Sequence, residues 1–140
     1  MTRDNPTVNR SLSDKDMDHI DHALGRPVDP MRKTYRDHFA TDGALADRFA
    51  ASPHWEERGR QGDMRFFGVT EYGRAVLAVY LKTLKNPHRR WEVSFDGHTW
   101  ACAAQTAAKA KYQEWLSISD TCCDLTFEDF CRRARVRRAA

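Results

Sequence analysis

Residues 91–102 read Trp-Glu-Val-Ser-Phe-Asp-Gly-His-Thr-Trp-Ala-Cys, and this stretch decides the fold of the second half of the chain. Apolar and polar residues alternate on both sides of Asp96-Gly97, a dipeptide that favours a two-residue type I′ turn. A turn of this length pairs Phe95 with His98, Val93 with Trp100, and Trp91 with Cys102. That register puts most of the large apolar side chains on one face. The sequence therefore predicts an antiparallel hairpin whose apolar face is buried.

The segment around this hairpin, residues 86–140, is predicted to form a small lobe of its own. Asn86-Pro87-His88 breaks the preceding helical pattern and marks the boundary. Thr106 is placed to cap a helix that continues to about Ser117, and Thr126 is placed to begin a last short helix. The first of these helices is expected to contact the hairpin through an apolar stripe of Ala108, Tyr112, Trp115 and Leu116. The last helix leads into an arginine-rich C-terminus.

The first half of the chain begins with a polar stretch, residues 1–12, where a flexible lead-in is expected. Helical periodicity then follows in three pieces. The predicted helices run from Ser13 to about Leu24, from about Met31 to Phe39, and from Asp42 or Gly43 to about Ser52. Gly25 supplies the C-terminal stop of the first helix.

After Pro53 the hydrophobic period changes from that of a helix to that of a strand. Two strands, residues 55–60 and 64–69, are predicted around the turn Gln61-Gly62-Asp63. Thr70 then caps a strongly apolar helix to about Lys85, and Gly73 lets the start of this helix approach the sheet closely. The whole chain is therefore predicted to be α+β. Lobes this small bury little surface alone, so a single core that joins them is expected.

Three helices, a two-stranded wing and a closing helix are the element order of a winged helix-turn-helix domain. The segment Phe67-Gly68-Val69-Thr70-Glu71-Tyr72-Gly73-Arg74-Ala75-Val76-Leu77 resembles the step from wing to last helix in bacterial winged-helix regulators. The same stretch, with Tyr35-Arg36-Asp37-His38-Phe39, is similar to small accessory proteins carried by phages and prophages. The resemblance covers residues 13–85. It implies a winged-helix-like N-terminal domain, packed on a C-terminal lobe made of a β-hairpin and helices, residues 86–140.

Composition limits the class of protein. The 140 residues carry 23 Lys and Arg against 20 Asp and Glu, and a net charge of +3 is too small to indicate a nucleic-acid partner by itself. No apolar run approaches the ~20 residues of a membrane span, and no signal peptide is recognisable. A cytoplasmic location is expected, in the host cell if a phage encodes the protein. The four cysteines form no Cys-x-x-Cys pair and are expected to be thiols.

Candidate catalytic and metal-binding patterns have simpler explanations. Asp14, Asp16 and Asp18 alternate like the start of a calcium loop, but His19 stands where that loop requires glycine. A charged helix start, favoured by the helix dipole, explains them better. The chain has no phosphate-cradling glycine loop and no Ser-His or Cys-His arrangement with a third, orienting group. We therefore expect a binding protein without catalytic residues, cofactor or metal.

Two groups of basic residues are candidate surfaces for a nucleic acid or another partner. The wing group consists of Arg32, Lys33, Arg36, Arg58, Arg60 and Arg65. The C-terminal group consists of Arg132, Arg133, Arg135, Arg137 and Arg138, which Lys109 and Lys111 on the outer face of the preceding helix would extend. Mutual repulsion among these arginines would be relieved by phosphates or an acidic surface, although a solvated, frayed terminus explains the run equally well. The helix in the recognition position, about Gly43–Ser52, is mostly alanine and offers little to read bases.

Two functions are open on this basis. The first is a DNA-associated phage or prophage protein that holds phosphates through the wing and C-terminal arginines. The alternative is an anti-CRISPR or other anti-defence protein that blocks a host complex by protein–protein contact, with the acidic stretch Asp14–Asp21 as the first candidate surface. The expected partner is accordingly a nucleic acid or a host protein or nucleoprotein complex. The oligomeric state is open.

Overall fold

Eleven elements of regular structure follow one another in the computed structural model, which describes residues 4–119, 121 and 124–139. The helices are α1 (Lys15–Ala23), α2 (Gly43–Ala51), α3 (Glu71–Lys82), α4 (Ala107–Ser119) and α5 (Phe127–Arg133). The strands are β1 (Phe39–Thr41), β2 (Trp55–Gln61), β3 (Met64–Val69), β4 (Arg89–Phe95), β5 (His98–Ala104) and β6 (Arg135–Arg138). They form two three-stranded antiparallel sheets, in the orders β1-β3-β2 and β5-β4-β6. The predicted α+β class is confirmed.

The hairpin of β4 and β5 has the predicted register. Phe95 pairs with His98, Val93 with Trp100, and Trp91 with Cys102. Asp96 and Gly97 both have positive φ, at 51° and 79°, as a type I′ turn requires. The local prediction is therefore confirmed residue by residue, because a two-residue turn leaves only one way to pair the flanking strands.

The helix predicted over Met31–Phe39 is wrong. Residues 31–38 are irregular, and Phe39–Thr41 forms β1, which pairs with β3. Side chains form hydrogen bonds with backbone groups that would otherwise pair within a helix. The Asn5 amide donates to the Asp29 and Lys33 carbonyls, at 2.9 and 3.0 Å. Asp37 accepts the Val69 backbone N–H at 2.8 Å, which draws the segment onto the sheet.

The turn into α3 follows the prediction closely. Thr70 is the N-cap and its hydroxyl accepts the Gly73 N–H at 3.1 Å. A Cβ on Gly73 would lie 2.5 Å from the His54 carbonyl oxygen, so the absence of a side chain permits the close approach of helix and sheet. The helix ends at Lys82, about one turn earlier than predicted.

Residues 4–12 are not a loose lead-in. Asn5, Val8 and Leu12 are each at most 6% exposed. The Val8 N–H donates to the Arg26 carbonyl at 2.7 Å, and the segment forms a β-bridge from Thr7 to Pro27. The polar composition of this stretch concealed three side chains that are buried against α1 and the loop after it.

Each half of the molecule has its own hydrophobic core, and the prediction of a single joined core is wrong. The N-terminal lobe, α1 to α3, is built around Leu12, Met17, Ile20, Ala23, Leu24, Ala46, Phe49, Trp55, Phe67, Val69, Leu77 and Leu81. The C-terminal lobe, β4 to β6, is built around Val93, Phe95, Cys102, Ala104, Ala110, Phe130 and Ala134. Aromatic rings supply much of the volume of each core, which compensates for the small number of residues.

Two features of the C-terminal lobe depart from the prediction. Helix α4 packs on the sheet through Ala110, whereas Tyr112 and Leu116 of the expected inner stripe are each 48% exposed. Apolar residues are spread over different sides of this helix, with alanine at 107, 108 and 110 in the first turn, so its sequence does not define one apolar face. The arginine-rich end is not frayed: Arg132 and Arg133 end α5, and Arg135–Arg138 forms β6, which pairs with β4 and places Val136 opposite Val93.

Candidate functional site

A cleft of about 840 Å³ lies between the two lobes. Its walls come from the segments 10–13 and 28–32, the C-terminal part of α3, and the chain that enters β4. Of the described residues that line it, seven are basic and one is a carboxylate, Asp29. The basic residues are Arg10, Arg32, Lys82, Lys85, Arg89, Arg90 and Arg138. The same cleft has an apolar floor that includes Leu12, Val28, Leu81 and Leu84.

Secondary structure fixes the positions of the cleft cations. Pairing of β6 with β4 places Arg138 opposite Trp91, with its guanidinium 5.9 Å from the indole centroid. The Nε of Arg90 donates to the Asp4 carbonyl at 2.8 Å, a bond that joins the two lobes. Arg10 is engaged with the fully buried Asp21 and so serves the fold. Lys85 and Arg89 are exposed at the edge of the cleft.

The pKa of His88 is lowered mainly by burial and in smaller part by the cations around it. It lies below its ordinary value of about 6.5, first because the ring is desolvated by burial and then because Arg10 and Lys109 are positively charged. His88 is therefore mainly neutral at pH 7. A concave surface with this excess of positive charge attracts anions, and its low-dielectric floor strengthens that attraction.

A second concave surface, the wing-side pocket, lies on the other side of the 31–32 segment. Its volume is about 630 Å³ and it shares Met31 and Arg32 with the cleft. The cations that line it are Arg32, Lys33, Arg36, Arg58 and Arg74, against the carboxylates of Asp37, Glu56 and Glu71. The two concavities therefore adjoin at Met31 and Arg32. Both are lined by more basic than acidic side chains, and the pair is called the track below.

Asp37 organises the wall of the wing-side pocket. Its carboxylate accepts from the Val69 N–H and from Arg58 at 3.1 Å, with Arg74 at 3.5 Å. Arg74 in turn donates to the Pro30 carbonyl at 2.9 Å, which holds the irregular segment against α3. The Arg58 guanidinium also bonds Glu56 at 2.8 Å and lies directly over Gly68. Part of the positive charge here is thus neutralised within the fold.

Arg60 and Arg65, which the sequence grouped with the wing, line neither concavity. Arg65 donates to both oxygens of Glu57, at 2.9 and 3.0 Å, and to Asp47 at 2.9 Å. Its hydrogen bonds are the main reason that the pKa of Glu57 lies below the ordinary value. Arg60 lies 3.7 Å from Glu57. Charge on this side of the sheet is balanced locally.

The C-terminal arginines, two at the end of α5 and three in β6, have different partners. Arg132, Arg133 and Arg137 make ion pairs with Asp129, Asp96 and Glu92, respectively. Arg135 donates to the carbonyls of Arg132 and Ala134. Only Arg138 among the five lines the cleft. Two lysines were expected to extend this group. Lys109 donates a hydrogen bond to the Gln105 side chain, and the half-buried Lys111 donates one to the Cys131 carbonyl.

The carboxylates of α1 and of its N-cap residue bond to other groups of the same chain. Asp14 caps the helix, Asp16 bonds Arg48, and Asp18 accepts from the Leu12 N–H and Arg26. The hydrogen bond from Arg26 is the main cause of the lowered pKa of Asp18. Asp21 is fully buried. The stretch therefore presents much less free negative charge than its sequence indicates.

Sequence reasoning missed five cations of the cleft: Arg10, Lys82, Lys85, Arg89 and Arg90. A signal was present for four of them, because Lys82, Lys85, Arg89 and Arg90 all fall within the nine residues 82–90, which include Asn86-Pro87-His88. Counting charge lobe by lobe divided this group at the boundary. The tertiary structure reunites it at the junction of the lobes, with Arg10, Arg32 and Arg138 added from distant parts of the chain.

Comparison with protein-family models, curated proteins and solved structures gives no match to this chain. Within residues 4–119, 121 and 124–139, no group of three His, Cys, Asp or Glu side chains is placed to hold a metal ion. In that same part of the chain, none of the helices combines the length and apolarity needed to cross a membrane.

Proposed function

We propose that this protein binds the phosphate backbone of nucleic acid along the track formed by the inter-lobe cleft and the wing-side pocket. The observation that carries the proposal is the composition of the cleft, which seven basic residues and one carboxylate line in a chain whose net charge is only +3. Arg10 and Arg90 are engaged within the fold, so the positive charge offered to a ligand comes mainly from Lys82, Lys85, Arg89 and Arg138. Concentration of positive charge in a concave surface is typical of nucleic-acid binding. The proposal moves the contact from the wing and tail arginines as a whole to the subset that lines the track.

The phage-type, winged-helix-like description is part of the same proposal. A three-stranded sheet in the order β1-β3-β2, followed by a capped helix, supports it. The described residues hold two helices before the hairpin, α1 and α2, where a helix-turn-helix domain has three. Recognition by an inserted helix is accordingly not proposed, and the concave track takes its place.

Binding should depend little on base sequence. Helix α2, in the recognition position, carries few side chains able to reach base edges, and they are engaged elsewhere. Arg48 is bonded to Asp16, and Asp47 to Arg65. Phosphate contacts fix position and supply affinity without reading sequence, so different sequences should bind alike.

The test is fluorescence anisotropy with labelled single-stranded and duplex DNA between about 50 and 200 mM salt. Four to six phosphate contacts imply a slope of roughly −4 to −5 in log affinity against log salt for duplex, and a shallower slope for single strands. The triple variant Lys85→Gln, Arg89→Gln, Arg138→Gln should weaken binding at least tenfold at 50 mM salt. Its salt dependence should also be less steep, with a slope smaller in magnitude by about 2 to 3.

A matched control removes the same charge from residues outside the track. The variant Arg48→Gln, Arg60→Gln, Arg132→Gln loses three exposed, carboxylate-paired arginines and should bind nearly as the parent does. Equal losses in the two triple variants would show that net charge rather than the track determines binding. No binding by micromolar parent protein at 50 mM salt would refute the proposal. Protein–protein blocking of a host complex would then be the remaining hypothesis.

A further inference from the structure

The outward face of α3 is apolar although it lies on the surface. The run Ala75–Leu81 consists of seven consecutive apolar residues. Val79 is 66% exposed and Tyr72 is 57% exposed, the two most exposed of the large hydrophobic side chains described. They are seven positions apart, so they lie on the same side of the helix. A helix that is apolar around most of its circumference is normally covered on both sides.

The other side of α3 is already occupied by the N-terminal core. Gly73, Leu77 and Leu81 are buried at four-residue intervals and define the inner face. Arg74 does not interrupt the outer face, because its guanidinium is bonded to the Pro30 and Arg32 carbonyls and to Thr34. Between Glu71 and Lys82 the outer face therefore presents no charge available to solvent.

We propose that this face, defined by Tyr72, Ala75 and Val79, binds the same face of a second copy of the chain in an antiparallel helix pair. The charges at its ends select this occupant. Glu71 stands at the N-terminal end and Lys82 at the C-terminal end, eleven residues apart. In a two-fold arrangement each Glu71 meets the Lys82 of the other copy, so the surface is complementary to itself.

The dimensions fit such a pair. Eleven residues of helix span roughly 16 Å, so the two ion pairs close both ends of a seam about three turns long. Tyr72, Ala75 and Val79 follow the i, i+3, i+7 spacing of an interhelical seam, and the small Ala75 lets the backbones approach. Tyr72 is held in place by its contact with the His54 ring, at 5.3 Å between centroids. An ordered side chain loses less entropy on association.

Sedimentation equilibrium of the full chain without nucleic acid tests the inference independently of the proposed function. The parent should show a monomer–dimer equilibrium. Val79→Asp should raise the dissociation constant of the dimer at least tenfold, because it places a charge in the apolar seam. Leu116→Asp on α4 is the matched control, an exposed leucine at 48% outside this face, and should dimerise as the parent does. Circular dichroism melts confirm that each variant is folded.

Charge exchange tests the antiparallel geometry. Glu71→Lys and Lys82→Glu should each weaken the dimer, because like charges then meet at both ends. The double variant should recover most of the parent affinity, since each pair is restored in reverse. A parent that stays monomeric at high micromolar concentration would overturn the proposal and leave the face to a different protein. A dimer that Val79→Asp does not weaken, or single variants that the double exchange does not rescue, would overturn it equally.

Discussion

Replacing Phe130 with alanine is expected to unfold the C-terminal lobe while the N-terminal lobe stays folded. Phe130 is fully buried and its ring lies 5.0 Å from that of Phe95. Of the other six core residues of the lobe, four are small: Cys102, Ala104, Ala110 and Ala134. Small neighbours on rigid elements cannot move in to fill the space that the ring leaves.

The magnitude follows from the burial of the ring and the size of the lobe. Truncation of a buried phenylalanine to alanine costs ~3–5 kcal/mol of unfolding free energy. At ~0.05–0.15 kcal/mol per residue, a lobe of about 50 residues has ~3–8 kcal/mol in total. The substitution therefore removes most or all of the stability of this lobe. Because the two cores are separate, the loss should not reach the N-terminal lobe.

Tryptophan positions allow each lobe to be followed separately. Trp55 is in the core of the N-terminal lobe, whereas Trp91, Trp100 and Trp115 pack against the core of the C-terminal lobe. Fluorine NMR of 5-fluorotryptophan-labelled protein should show the three C-terminal signals collapse toward the unfolded position in Phe130→Ala. The Trp55 signal should keep its native shift. Leu116→Ala, at an exposed site, is the control and should leave all four signals in place.

Two outcomes would refute this reasoning. If all four signals collapse together, the lobes fold as one cooperative unit and the separation of the cores has no energetic meaning. If Phe130→Ala unfolds within about 1 kcal/mol of the parent, the ring is not the main support of its core. Urea titration of the same samples supplies the free energies that decide between these cases.

Three further predictions concern single sites. Gly73→Ala should destabilise the protein by ~1–3 kcal/mol in urea titration, because the added Cβ would clash with the His54 carbonyl. Gly59→Ala is the control: its Cβ would make only an ordinary 3.5 Å contact, so this variant should be nearly neutral. Burial lowers the pKa of His19, whose Nδ1 has no hydrogen-bond partner among the described residues. The unfolded chain therefore binds more protons than the folded chain as the pH falls from about 6.5 through the lowered pKa, and the free energy of unfolding decreases over that range. His19→Leu should remove the part of this decrease that comes from His19. Thermal melts at pH 7 and pH 5.5 measure it. Burial raises the pKa of Cys102 to about 12, so iodoacetamide at pH 8 should leave this thiol unmodified in native protein and alkylate it in denaturant, by peptide mass spectrometry.

The candidate site was only partly predictable from the sequence. Arg32, Lys33, Arg36 and Arg58 were grouped correctly, in the sense that the structure brings them together in one pocket. Residues 82–90 belong to the cleft but were divided by the lobe boundary that runs through them. Of the remaining wing and tail arginines, Arg65, Arg133 and Arg137 pair with carboxylates from other parts of the fold. Arg60 and Arg132 pair with carboxylates three residues away, and Arg135 donates to backbone carbonyls. Sequence shows the charge of a side chain and does not show which charges neutralise it.

Local chemistry was enough wherever the deciding interactions lie within a few residues of one another. The register of the 91–102 hairpin follows from its two-residue turn, and the start of α3 follows from the Thr70 cap and Gly73. Tertiary structure alone decided the rest. Asn5 holds residues 29–33 out of a helix from 24 or more positions away, and the arginine-rich end becomes a strand because the free edge of β4 accepts it. Such contacts depend on which backbone groups are still unpaired once neighbouring elements have packed, and no short window of sequence contains that information.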